Sequence, residues 1–346
     1  MLNWYRSQAR DLPWRRTHDP YAIWVSEIML QQTQVETVIP YYRRFLLAFP
    51  TVGALAGAPE EKVLKLWEGL GYYRRARHLQ AAARLVVKAH TGQLPADAQA
   101  WQALPGVGAY TAGAIASIAL GEPAPILDGN VKRVLSRIFV VSGPAAGSVV
   151  LKKLWALAAD LVPAKAPGDF NQALMELGAL ICRVDGPRCP ACPVRKKCRA
   201  YASGDPENWP QRMPGKRRPH KTMVAGLVQV GGKLLLGQRP ENGLLGGLWE
   251  LPGGEVKSGE TYPAALRRIF RSELGVDIEP GKAAAPGVQH AYTHFSLTLH
   301  AYRVRLSGGT PRARFHQALR WVTPGQMVRL AVPLADRKVL RICLKP

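Results

Sequence analysis

The stretch 103–134, ALPGVGAYTAGAIASIALGEPAPILDGNVKRV, leaves its backbone few possible paths. Leu104-Pro105-Gly106-Val107-Gly108 is a tight turn with glycine at both ends, which removes the Cβ barrier to positive φ and lets backbone amide groups face outward. Residues 110–120 follow as a helix of small side chains, and Pro123 and Pro125 then break the chain into a loop. That loop delivers Asp128 to the start of a second helix, where Lys132 and Arg133 follow. The turn thus feeds a helix N-terminus, whose free N–H groups and dipole favour an anion.

Charge suggests which anion. The chain carries 47 Lys plus Arg against 24 Asp plus Glu, a net +23, which is more than solubility requires and implies a polyanionic partner. A helix–hairpin–helix gripping a DNA backbone, with Asp128 directed at the sugar, accounts for both features. At 346 residues, two domains are expected. No apolar run approaches the roughly 20 residues that span a bilayer, and MLNWYRSQARDLPWRR lacks a signal-peptide core. The expectation is a soluble cytoplasmic chain, nucleoid-associated in a bacterium, with no membrane partner.

Residues 1–200 read as nearly all helix. Segment 21–31 is apolar all round and so buried, 35–49 is interrupted or kinked near Pro40, and 60–69, 74–89, 147–161 and 169–182 have helical spacing. From 201 to 221 the chain is rich in Pro, Gly and basic residues, a linker. Beyond it the pattern turns strand-like: 222–230, a Gly231-Gly232 hairpin and 233–239, then a helix over 262–274 and strands at 295–306 and 319–322. The expected domains are therefore 1–200, all-α, and 222–346, α+β.

Four of the five cysteines, Cys182, Cys189, Cys192 and Cys198, fall within 17 residues, a metal-site pattern in an intracellular chain. Their intervals of six, two and five residues leave zinc and an iron–sulfur cluster both open.

The basic helical domain, the hairpin followed by Asp, and the closing four-Cys loop together resemble the helix–hairpin–helix DNA glycosylases. WVSEIMLQQTQVETVIPYY (24–42), LWEGLGYYRRARHL (66–79), LPGVGAYTAGAI and ILDGNVKRV are similar to the MutY family of adenine DNA glycosylases, and the resemblance covers essentially the whole chain. It implies one 4Fe–4S cluster per chain on Cys182, Cys189, Cys192 and Cys198. It also implies a monomer acting on duplex DNA that contains A opposite 8-oxoguanine or A opposite G.

Glu27 sits in the apolar helix, where burial raises a carboxyl pKa and retains a proton for general-acid use; an exposed helix Glu is the ordinary alternative. The resemblance makes Glu27 the acid that protonates the imidazole ring of a flipped adenine. It makes Asp128, otherwise an ordinary N-cap, the carboxylate that stabilises the oxocarbenium ion, and it adds Asn130 and Tyr110 as supports, with Tyr110 in reach of Asp128. Bifunctional relatives carry a Schiff-base Lys at the Tyr110 position, and a phenol forms no imine, so strand cleavage is not expected. Gln31, Gln32 and Thr33, with Tyr72, match segments that intercalate and fill the hole left by the flipped base. Arg74, with Arg75 and Arg77, reads as a phosphate contact, as do Gly106, Gly108 and Lys132, whereas Trp14 and Arg15 resemble adenine-pocket residues.

Residues 248–276, LWELPGGEVKSGETYPAALRRIFRSELGV, partly match the Nudix signature. Gly254, Glu260, Arg268, Glu273 and Gly275 are in register, but Ile269 and Ser272 stand where the hydrolases carry metal-binding Glu, which opposes Mg²⁺ binding. The resemblance assigns this Nudix-like domain to 8-oxoguanine recognition, through Tyr292, Thr293 and His294 in place of a Phe-Ser-His loop. Rival readings are a thymine or oxidised-pyrimidine glycosylase, a nucleotide pyrophosphohydrolase and a non-enzymatic DNA-binding protein.

Overall fold

The computed structural model describes residues 1–211 and 218–344, so 212–217 of the expected linker lie outside the described residues. The chain divides into two compact units, one of Met1–Gly57 with His78–Gly215 and one of Ala58–Arg77 with Lys216–Pro346. Among the described residues, no helix is long and apolar enough to cross a membrane.

The first unit is helical. Pro20–Leu30 is capped by Asp19, whose carboxylate accepts from the Tyr21 and Ala22 amides, and buries nearly every side chain, as its all-round apolar sequence requires. Trp24 is fully buried, edge-on to Trp101 with ring centroids 5.2 Å apart. Val35–Ala48 runs unbroken through Pro40, which lies on its exposed face, rather than being interrupted there. Leu2–Gln8, Val52–Gly57 and Ala98–Gln102 are short helices without a clear period in the sequence.

Three helices converge on the hairpin: Ala109–Ala119, Gly129–Phe139 and Pro167–Leu180. Glycines set how closely they approach. A Cβ on Gly113 would lie 2.2 Å from the Pro125 carbonyl oxygen, and one on Gly178 would lie 2.5 Å from the Asn130 Cβ. The loop before Asp128 is thereby pressed onto the first helix, and Asn130 onto the third. Only one of the two hairpin glycines uses its freedom to reach positive φ: Gly106 has φ +78°, whereas Gly108 is the N-cap of Ala109–Ala119 with φ −91° and ψ 174°. An N-cap takes ordinary extended angles, and at Gly108 the absent side chain leaves open space around the helix start.

The second unit is built on strands β1 (His220–Val230), β2 (Lys233–Gln238), β3 (Trp249–Glu250), β4 (Gly253–Glu255), β5 (Asp277–Ala283), β6 (Val288–Ala291), β7 (Ser296–Gly308) and β8 (Ala318–Val322). The path is β3-β2-β1-β7-β5, with β4 on β1, β6 on β7 and β8 on β2. β1 and β7 are parallel and the other pairs antiparallel. Alternation along β1 explains the layering: Val224 and Val228 face the helix Tyr262–Leu274, while Ala225 and Leu227 face a second core with the helix Leu334–Cys343. Ile269 is 2% exposed and belongs to the first of these cores, and the Ser272 hydroxyl donates to the Ile269 carbonyl at 3.1 Å. Neither position offers the carboxylate of a hydrolytic Nudix centre.

Candidate active site

In the first unit, a cavity of about 830 Å³ is lined by Glu27, Tyr110, Asp128 and Asn130, together with Trp14, Arg15, Gln31, Gln32, Thr33 and Gly108. Residues 101 positions apart in sequence, Glu27 and Asp128, thus face one space.

Glu27 is 4% exposed, and its Oε2 accepts from the Tyr110 hydroxyl at 2.7 Å. Burial pushes its pKa up to about 7, the Asp128 charge adds to this, and the Tyr110 bond and Arg15 oppose it. Burial therefore favours the protonated carboxyl that a general acid needs. Tyr110 also meets the Met175 sulfur at 3.3 Å, and burial drives its own pKa up, so the phenol remains a donor. The expectation that Tyr110 serves Asp128 is therefore corrected: packing of Pro20–Leu30 on Ala109–Ala119 brings the phenol to Glu27 instead.

Asp128 is held differently. It is the N-cap of Gly129–Phe139, Oδ1 accepting from the Val131 amide at 2.7 Å and Oδ2 from the Asn130 side-chain amide at 3.0 Å. Burial raises its pKa, and these hydrogen bonds and the Arg133 charge pull it back. Arg133 donates to the Asn130 Oδ1 at 2.8 Å, which fixes the amide so that its NH₂ faces Asp128. The same guanidinium reaches the Gly178 and Cys182 carbonyls, both at 2.7 Å. Asn130 is thus a support for Asp128, and Arg133 is a support for Asn130.

On the opposite wall, Glu176 is fully buried and bonded by Arg10 Nε at 2.9 Å, Arg10 Nη2 at 2.8 Å and Arg15 Nη2 at 2.8 Å. Burial raises its pKa, but these bonds outweigh burial and hold it at about 2. The pKa values of Glu27 and Glu176 are thus pushed in opposite directions within one cavity. Neither Glu176 nor Arg10 stood out in the sequence, although an acidic residue inside the apolar run ALMELGAL is the same signal that singled out Glu27. Trp14 is 6% exposed, edge-on to Tyr42 at 5.4 Å. Gln31 donates to the Thr111 hydroxyl at 3.2 Å, the Thr33 hydroxyl donates to the Gln31 carbonyl at 3.4 Å, and Gln32 holds φ +56°. Gly106 and Lys132 are not among the residues lining the cavity.

Cys182, Cys189, Cys192 and Cys198 converge on a second pocket with Arg137 and Arg195. Arg137 is 2% exposed and lies 3.4 Å from the Cys182 sulfur. Among the described residues, no three His, Cys, Asp or Glu side chains are grouped tightly enough for a single metal ion. Four thiols gathered at one pocket, with Arg137 beside the Cys182 sulfur, offer the donor set of a thiolate-bound metal centre.

Residues of the second unit are described by themselves. Tyr72 has φ +47°, and Arg74 begins the helix Arg74–His90. Arg75 and Arg77 are engaged within the fold: Arg75 Nη2 donates to the Leu70 and Gly71 carbonyls at 3.2 and 3.1 Å, and Arg77 Nη2 to the Glu241 carbonyl at 2.6 Å. Tyr292, Thr293 and His294 form the turn between β6 and β7, closed by the Tyr292 amide on the Phe295 carbonyl at 2.8 Å, with Thr293 and His294 exposed.

Comparison with known proteins places both units in known families. Residues 25–159 match the HhH-GPD superfamily of base excision DNA repair proteins, and 223–341 match the NUDIX domain. The chain is 38% identical to the human adenine DNA glycosylase over 99% of its own length and 73% of that protein. It is 39% identical to the rat adenine DNA glycosylase over 99% and 77%. The chain belongs to the adenine DNA glycosylase (MutY) family. Adenine DNA glycosylases are hydrolytic glycosidases within the HhH-GPD superfamily. A solved thermostable thymine-DNA glycosylase is 34% identical with a TM-score of 0.54, covering 58% of this chain and 93% of that one. A solved complex of endonuclease III with DNA superposes at a TM-score of 0.50 and 24% identity over 59% of this chain, which shows the fold alone. The adenine DNA glycosylase relatives, unlike these two structures, run through both units.

Proposed function

We propose that this chain removes adenine mispaired with 8-oxoguanine, and adenine opposite G, from duplex DNA by hydrolysis of the N-glycosidic bond. The observation that carries the reading is the pairing, in one cavity, of a buried carboxyl with a pKa of about 7 and a second carboxylate held by an N-cap and an amide. Glu27 donates its proton to the imidazole ring of the flipped adenine, which turns the base into a neutral leaving group. Tyr110 orients Glu27 through the hydroxyl bond. Asp128, fixed by Val131 and Asn130, faces the sugar as positive charge develops, bonds to it transiently or stabilises it, and water completes the hydrolysis. Glu176, ionised and saturated by Arg10 and Arg15, fixes both guanidinium groups at the wall of the cavity. Tyr110 stands where a lyase carries its Schiff-base Lys, which supports a monofunctional enzyme.

Around this centre, the uncapped start of Ala109–Ala119 at Gly106 to Gly108 takes a backbone phosphate, with Lys132 and Arg74 as further phosphate contacts. By the family resemblance, Gln31, Gln32 and Thr33 on the first unit, and separately Tyr72 on the second, belong to segments that intercalate or fill the hole left by a flipped base. Tyr292, Thr293 and His294 read the 8-oxoguanine. Cys182, Cys189, Cys192 and Cys198 would hold one 4Fe–4S cluster, which would anchor the basic loop 182–198 away from the adenine chemistry.

Single-turnover assays on duplexes with A opposite 8-oxoguanine, A opposite G and T opposite G test the reading. Adenine release from the first, slower release from the second and none from the third are expected. Failure to release adenine from the first duplex overturns it.

A further inference from the structure

The HhH-GPD match spans 25–159, yet Ala58–Arg77, in its middle, belongs to the compact unit of the C-terminal strands. Two carboxylates join this segment to the strands and to the C-terminal helix. Glu61 Oε1 accepts from Trp249 Nε1 at 3.1 Å and from Arg320 Nη1 at 3.0 Å. Glu68, with its side chain 10% exposed, is the centre of a denser network. Its Oε1 accepts the Val332 amide at 2.8 Å and the Arg337 guanidinium, and its Oε2 pairs with Lys65 at 2.8 Å. Lys65 and Arg337 both donate to the Leu330 carbonyl as well, at 3.0 and 3.2 Å.

Four residues beyond Glu68 stands Tyr72. The chain between them turns through Gly69, Gly71 and Tyr72 at φ +104°, +73° and +47°. Trp67 Nε1 donates to the Gly71 carbonyl at 3.2 Å, and Arg75 bonds the Leu70 and Gly71 carbonyls, so the turn is pinned from both flanks. A left-handed tyrosine persists only where its surroundings over-determine it. The Tyr72 ring meets His294 edge-on with centroids 6.3 Å apart, and its buried hydroxyl has no hydrogen-bond partner among the described residues. The helix Leu334–Cys343 touches both parts: Arg337 holds Glu68, and the next residue, Lys338, donates to the Gln289 carbonyl of β6 at 3.1 Å, three residues before Tyr292.

We propose that Glu68 and Arg337 are positioning residues that set Tyr72 against the 292–294 loop, so that recognition of the base opposite adenine governs insertion of Tyr72 into the duplex. The proposal rests on the assignment of 292–294 to 8-oxoguanine. A purely structural ion-pair network would support folding and leave substrate preference untouched; a positioning network ties preference to one carboxylate.

The test uses the full chain in single-turnover excision on A opposite 8-oxoguanine and A opposite G, with 2-aminopurine beside the 8-oxoguanine as a reporter of unstacking. Glu68→Gln keeps an oxygen for the Val332 amide and removes the charge, Arg337→Ala removes the partner, and Arg337→Lys is the rescue. Glu68→Gln and Arg337→Ala are expected to slow the 8-oxoguanine duplex roughly two- to thirtyfold, the range of such coupling, and to leave the G duplex unchanged. Both should blunt the 2-aminopurine brightening, and Arg337→Lys should recover part of each loss. Thermal melts fix a temperature at which every variant is folded. Wild-type protein without any preference for 8-oxoguanine would remove the reading on which the proposal rests, and the proposal with it. A wild-type preference retained by Glu68→Gln, or equal slowing of both duplexes whatever the brightening, overturns the proposal alone.

Discussion

Replacing Glu27 by Gln separates chemistry from stability in a way the structure makes quantitative. The folded protein holds the Glu27 proton with a pKa of about 7 against an ordinary 4.5, chiefly through burial. The folded state therefore binds this proton more tightly than the unfolded chain. The associated stability is fully present below 4.5 and is lost as pH rises from there to about 7. A gap of about 2.5 in pKa corresponds to about 3 kcal/mol. Glu27→Gln cannot ionise, and its amide oxygen still accepts from the Tyr110 hydroxyl. Urea unfolding of both proteins between pH 4.5 and 8.5 should show similar stability at the acid end. Above pH 7 the Gln variant should be ahead by up to about 3 kcal/mol. The same variant should bind duplex and lose excision by a factor of about a hundred or more, and wild-type excision should decline as pH rises past 7. Parallel stability curves across this range would refute the claim that Glu27 is a buried proton reservoir, whatever happens to activity.

Three further outcomes follow from the geometry. Asp128→Asn retains an effective N-cap, so its melting should stay within about 1 kcal/mol of wild type while excision falls by a factor of about a hundred or more; loss of folding together with activity would reduce Asp128 to a structural cap. Gly106→Ala places a methyl 2.6 Å from the His78 Cβ at a φ of +78°. A cost of about 1–3 kcal/mol is expected, with weaker duplex affinity in a gel-shift titration and a preserved rate at saturating enzyme; unchanged affinity would argue against the hairpin as a phosphate grip. Freshly purified protein should be brown and carry about four iron per chain, and Cys198→Ala should lose both colour and iron, whereas stoichiometric zinc would contradict the cluster.

The longer helices, the strands 222–239 and 295–306, the hairpin and the two candidate carboxylates were legible because each leaves a local mark, whereas the short strands Trp249–Glu250, Gly253–Glu255, Asp277–Ala283 and Val288–Ala291 and the helix Leu334–Cys343 were not. An apolar helix with one Glu, an Asp before Gly-Asn-Val, a Gly-bracketed turn and a change from helical to alternating periodicity all lie within windows of a few residues. The helix is not interrupted at Pro40, whose position on an exposed face is invisible in the sequence. A glycine permits positive φ without requiring it, and Gly108, as a helix N-cap, does not use it.

Sequence alone singled out the candidates for chemistry: Glu27, Asp128, Tyr110 and Asn130 in one half, four clustered cysteines at its close, and Ile269 and Ser272 where a Nudix hydrolase needs carboxylates. Only the tertiary structure decided whom they serve. Tyr110 bonds Glu27 across 83 positions, and Glu176 joins Arg10 and Arg15 across more than 160. Ala58–Arg77 joins the C-terminal unit through Glu61 and Glu68. Caps and periods are set by neighbours three or four residues apart. Hydrogen-bond partners and shifted pKa values are set by which helices pack, and at what distance, which here depends on the glycines at 113 and 178.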